Sequence, residues 1–144
     1  MWSEAQTLVT PGPDIAFNTA AGTDQYILDP AQCRWVPDLR VTVDPSPRTA
    51  GAIIFPVLKG AGHLFLGGVL LPNTDTAAAR DAMAYNLEAA WDALTGNNTG
   101  TFQQPSGRGN LTVRAETYPG TAPWESNYRM SFSAVLIAAG PGWV

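Results

Sequence analysis

The chain has 144 residues, of which 45% are hydrophobic and only 14% charged. A single domain of this size can build a core without staples, but the charged fraction lies well below the roughly 25% of an ordinary soluble domain. Part of the uncharged surface is therefore expected to be covered by a partner. Eight Lys+Arg against 12 Asp+Glu give a net charge of −4 with no basic run, which argues against sequence-independent coating of nucleic acid.

Cysteine usage and the termini narrow the class further. Cys33 is alone, so neither an internal disulfide nor a Cys-based zinc site can form. Met1-Trp2-Ser3-Glu4 is not a basic segment leading into an apolar run, so no signal peptide is visible. The apolar stretches near Ile53 and Val69 are broken by Pro or Gly and fall far short of ~20 residues, so no membrane partner is expected. The reading is a soluble, non-secreted chain. Fourteen Gly and 12 Pro favour strands and turns over a helical bundle.

In chain order, the first 50 residues read as short extended pieces, with strands at Gln25–Asp29 and Arg34–Val36. Leu39 to Val43 alternates apolar and polar and predicts a half-buried strand, which Asp44-Pro45-Ser46-Pro47 should stop. Ile53–Leu58 and His63–Leu71 read as two strands joined by a turn at Lys59-Gly60-Ala61-Gly62. The helix expected from about Thr76 to Leu94 has Thr74 or Thr76 as cap and Gly96 as stop. Its stripe of Met83, Leu87, Trp91 and Leu94 should pack on a sheet, leaving Arg80, Asp81, Glu88 and Asp92 on other faces.

Gly96 to Gly109 reads as a polar connection. Leu111–Tyr118 and Tyr128–Ala138 then form a strand pair around a loop, Pro119 to Asn127. The order of strands, one helix and a strand pair, without βαβ alternation, predicts α+β or a β-sandwich carrying one helix, in one domain spanning residues 1–144. The Leu111–Leu136 hairpin would offer an edge to a neighbour's sheet.

Catalytic chemistry is thin. His63 is the one histidine, which excludes a two-His metal site, and no Gly-x-Ser-x-Gly elbow accompanies it. Cys33 beside Arg34 reads as a small semi-buried residue, and no base is positioned for it. Asp38 and Asp44 flank one strand and Glu116 and Glu125 the last loop, where isolated acids are usually solvated. Gly60-Ala61-Gly62 and Gly107-Arg108-Gly109 do not lead into a helix start and are not phosphate loops. The expectation is no enzyme, no catalytic residue, no metal and no cofactor. Four aromatic residues, Trp124, Tyr128, Trp2 and Trp143, lie at the termini or around a loop and are candidates for a subunit interface.

Asp14-Ile15-Ala16-Phe17-Asn18 followed by Tyr26-Ile27-Leu28 resembles the opening of distal tail proteins from long-tailed bacteriophages. The resemblance continues through Gly51 to Pro56, Leu64 to Gly68, the single helix, Leu111-Thr112-Val113-Arg114 and the final strand. It implies a tail-tube-like sandwich with a flanking helix. It also implies a structural role in the virion: a ring, most often hexameric, at the tail tip around a channel for DNA. The implied partners are further copies of itself, the tail tube protein, and the tail tip or baseplate hub proteins. Genomic DNA would be met only in transit, through a neutral or acidic lumen, and the chain would be made in the host cytoplasm. The alternatives are a tail terminator or head–tail connector ring protein and, in another class, a small cell-wall- or ligand-binding module.

Overall fold

A computed structural model describes residues 2–40, 43–45, 52–54, 58–104, 108–123, 128–138 and 142–144. Its elements in chain order are β1 (Gln6–Val9), β2 (Ile15–Phe17), β3 (Gln25–Leu28), β4 (Arg34–Arg40), β5 (Val43–Pro45), β6 (Ala52–Ile54), β7 (Leu58–Leu71), α1 (Ala77–Asp92), β8 (Gly100–Gln104), β9 (Gly109–Pro123) and β10 (Met130–Ala138). No helix among the described residues is long and apolar enough to cross a membrane.

The expectation of mainly β structure with one helix holds, but the sandwich does not. The strand order β10-β9-β8-β1-β2-β3-β7 closes on itself because β10 also pairs with β7, giving a seven-stranded barrel, and β4 is added outside it on β7. A closed ring of strands must return to its starting direction, so its antiparallel joins must be even in number. Seven joins therefore need a parallel one, and the β2–β3 pair, Phe17 opposite Tyr26, supplies it. Closure covers part of the edge that a sandwich would have to protect, although β8 pairs with β9 only from Gly109 to Val113. In particular, β10 is paired along both sides, from Met130 opposite Leu70 and Pro123 onward, so it has no edge to lend to a neighbour.

The barrel interior follows the period-two rule. Along β10, Met130, Phe132, Ala134, Leu136 and Ala138 point inward, and Ser131, Ser133, Val135 and Ile137 point outward. Phe17 lies at the centre, with ring centroids 6.2 Å from Phe102 and 6.4 Å from Phe132. Leu8, Ile15, Leu64, Leu70 and Leu111 are fully enclosed around these rings.

Three sequence expectations are corrected. First, the Lys59–Gly62 turn is absent: β7 runs unbroken through it and pairs with β4 from Arg34 opposite Phe65 to Arg40 opposite Leu58. The glycine serves a different purpose there, since a Cβ on Gly62 would run into the Trp35 indole. Second, β9 continues through Pro119 to Pro123, where a loop was expected. Its register slips between Ser133 and Val135, leaving Tyr118 and Pro119 in a bulge, a position where the missing proline N–H costs no ladder bond. Third, Asp44 and Pro45 belong to β5 and pair with Ile53 and Ala52 of β6, so the strand does not stop at Asp44. Ser46 and Pro47, and residues 55–57 of the expected Ile53–Leu58 strand, lie outside the described residues.

The helix forms as its pattern requires. Thr76 is the N-cap, its hydroxyl accepting from the Ala79 amide at 3.2 Å. Met83, Leu87, Ala90 and Trp91 are buried. Gly96 beyond the helix end takes a left-handed φ of 67°, which favours glycine. Side-chain hydrogen bonds help to fix the helix on the barrel. The Tyr26 hydroxyl donates to the Met83 carbonyl at 2.8 Å, and the Trp91 indole N–H donates to the Val135 carbonyl at 3.3 Å, beside the bulge.

Candidate functional site

His63 stands on the outer face of β7 with its Nε2 3.3 Å from Glu116 Oε2 of β9, both side chains partly exposed. This is a surface pairing across β10, and Ile137 lies directly opposite His63. Cys33 is buried, with its thiol on the Gly67 carbonyl at 3.4 Å, and burial pushes its pKa up. A thiol held neutral and covered is a poor nucleophile. Among the described residues no cluster of His, Cys, Asp and Glu is arranged to hold a metal ion. The side chains of Asp38 and Asp44, and all of Glu125, fall outside the described residues.

The candidate interface residues separate into two groups. Trp2 is buried, 6.5 Å from Phe102 between ring centroids. Trp143 is half-buried against Trp35 at 5.9 Å and Phe102 at 6.2 Å, with the Arg108 guanidinium over its ring at 4.8 Å. Both therefore belong to an aromatic cluster at one end of the barrel. The adjacent Val144 is tied to Asn110 by two backbone hydrogen bonds of 2.8 Å. Tyr128, by contrast, is 43% exposed and precedes β10 with a left-handed φ of 46°. Trp124 lies outside the described residues.

The helix carries a feature that the sequence did not single out. Asp81, Tyr85, Glu88 and Asp92 form one exposed face of α1, opposite its buried stripe. Between this face and β9 lie two depressions of about 310 and 400 Å³ that share Tyr85 and Glu88. Tyr118 lines the first and donates its hydroxyl to Asp92 Oδ1 at 2.7 Å. That bond, together with the negative charge of Asp92 and Glu88, raises the Tyr118 pKa. Asp81 is offset by Arg80 at 3.1 Å, and no Lys or Arg lines either depression. The spacing of the acids along the helix was legible. Their meeting with Tyr118 was not, because it depends on the β9 bulge.

A second exposed patch lies on the outer sheet. Arg34 of β4 sits over the ring of Phe65, 4.5 Å from its centroid, and Val135 of β10 follows Phe65 in the same row. Val36 and Ile27 nearby are 39% and 37% exposed. The His63–Glu116 pair lies beside it, with the His63 ring 6.3 Å from that of Phe65, and a depression of about 410 Å³ joins Phe65 and Val135 to Tyr118.

With this geometry in hand, the comparisons locate the fold. The structure is similar to the crystal structure of Dit (gp 19.1) of phage SPP1, presented there as a paradigm of the hub of the adsorption apparatus in phages infecting Gram-positive bacteria. The TM-score is 0.55 at 11% sequence identity, over 96% of this chain and 51% of that one. The fold is Dit-like. The chain spans about half the length of the protein it matches, and at this identity the likeness is one of fold. No family model and no curated protein matches the chain. The resemblance to distal tail proteins noted in the sequence thus meets a Dit fold, as a barrel rather than a sandwich.

Proposed function

We propose that the chain is a structural protein of a phage tail tip. In this reading it forms a closed ring, most naturally of six copies, at the distal end of the tail tube. The ring joins the tube protein to the tip or baseplate hub proteins and leaves a channel through which DNA passes. It is made in the host cytoplasm, resides in the virion, and carries out no catalysis. The observation that supports this best is the likeness to SPP1 Dit over nearly the whole chain. The low charge of the sequence agrees with a protomer that covers much of its surface in an assembly.

Within that reading, Tyr128 and Trp124 are placed in the contact between subunits, Tyr128 because an exposed aromatic next to a rigid strand makes a good anchor. Trp2 and Trp143 would act less directly, by holding the barrel end against which a neighbour packs. The test is the mass of the purified chain in solution, followed by imaging of tail tips. A closed cyclic oligomer is expected. A monomer at every concentration, or tips in which this protein has no rotational symmetry, would overturn the reading.

A further inference from the structure

A buried polar atom in a folded protein is nearly always hydrogen-bonded, either to the chain or to an enclosed water. At the barrel end that holds the aromatic cluster, two buried side-chain atoms have no partner within the chain: Gln104 Oε1 and the Trp143 indole Nε1. The first can only accept a hydrogen bond and the second can only donate one. Gln104 is 4% exposed and ends β8 on the same inward face as Phe102.

Neighbouring groups fix which way the Gln104 amide points. Gln6 of β1, also buried, directs its Nε2 at the Glu4 carbonyl, 3.4 Å away, and so presents its Oε1 to Gln104 Nε2 at 3.0 Å. Gln104 Oε1 is thereby turned away from Gln6 Oε1. Trp143 reaches the same place, as two contacts show. Its ring lies 6.2 Å from that of Phe102, two residues before Gln104. The adjacent Val144 lies against Gly109, the residue opposite Gln104 on β9, so closely that a Cβ on Gly109 would run into the Val144 carbonyl.

We propose that this barrel end encloses a water molecule that accepts from Trp143 Nε1 and donates to Gln104 Oε1. The class of occupant follows from chemistry and size. It must both accept and donate; a bare cation would satisfy only the oxygen, and an anion only the indole N–H. Both atoms are shut off from solvent, so a side chain of another protein or a larger solute cannot reach them, whereas a buried water is an ordinary part of a folded domain. The bridge joins Trp143 to β8 and β1 through one polar chain, Trp143–water–Gln104–Gln6, inside an otherwise aromatic cluster.

The test is a crystal structure of the whole chain at a resolution that shows ordered water, together with thermal midpoints of Gln104→Met, Trp143→Phe and the double variant. One ordered water is expected within hydrogen-bonding distance of both atoms. Each single change leaves the opposite group without its bridge, so the loss in the double variant should fall short of the summed single losses by about 4 °C or more. A direct bond between Trp143 and Gln104, no ordered water touching both atoms, or midpoint losses that simply add would each overturn the inference. If Gln104→Met does not fold, the wild-type crystal structure decides alone.

Discussion

Replacing Leu87 by Ala tests the placement of the helix on the barrel. Leu87 is fully enclosed, in the stripe with Met83, Ala90 and Trp91. Truncating such a leucine removes its burial and leaves a cavity, at a cost of about 2.7–5.0 kcal/mol. Against a net stability of roughly 5–15 kcal/mol for a domain, that is a large share. At ~4 °C per kcal/mol for a chain of this size, the thermal midpoint should fall by about 10–20 °C. The control is Ala82→Leu, which puts the same side chain on the exposed side of the same helix and should change stability by no more than about 0.5 kcal/mol. Equilibrium urea unfolding, at one protein concentration so that assembly is held constant, measures both. Equal effects of the two changes, or stabilisation by Ala82→Leu with a tolerated Leu87→Ala, would mean that the helix faces the barrel the other way.

Two further outcomes follow from the barrel itself. A Cβ on Gly68 would drive into the Ile27 carbonyl of β3, whereas one on Gly120 meets only Ser133, at 3.5 Å to its hydroxyl. Gly68→Ala should therefore be strongly destabilising and Gly120→Ala nearly neutral in thermal melts, and tolerance of both would refute the close β3–β7 crossing. Cys33, 6% exposed and with its pKa raised by burial, should react with a thiol reagent only as fast as the protein opens. Labelling of the native protein at the rate of a free thiol would contradict its position against Gly67.

Much of the fold could be read where the pattern was long. The helix appears within two residues of its expected ends because cap, stripe and stop agree, from Thr76 through Leu87 to Gly96. The last strand appears for the same reason, with Met130 to Ala138 alternating without interruption. The strands β1, β2 and β8 escaped notice because they hold 4, 3 and 5 residues, too few for periodicity to stand out from loop. Glycine and proline misled in opposite directions. At Gly62 the missing side chain makes room for Trp35, and at Pro119 the missing N–H falls in a bulge, so both residues sit inside strands while resembling turn signals. The groove at α1 was half legible: the acids show their helical spacing, but Tyr118 reaches Asp92 only through tertiary structure.

Barrel closure changes what a neighbour can use. An open sandwich would recruit a second copy through strand edges, and the Leu111–Leu136 hairpin offered such an edge on paper. In the structure β10 is flanked by β9 and β7, and the ring of seven strands leaves β4 as the strand outside it. β4 contains Pro37, which cannot donate a ladder hydrogen bond, so it is a poor template for extending a sheet. Beyond Val113 the second side of β9 has no paired strand among the described residues, and the outer faces of the barrel offer side chains as the other means of association. Such contacts draw their strength from a few aromatic and charged anchors in otherwise apolar surroundings. Exposed aromatic and charged side chains of this kind include Tyr85 and Glu88 on the helix, Tyr118 on β9, and Arg34 beside Phe65 on the outer sheet.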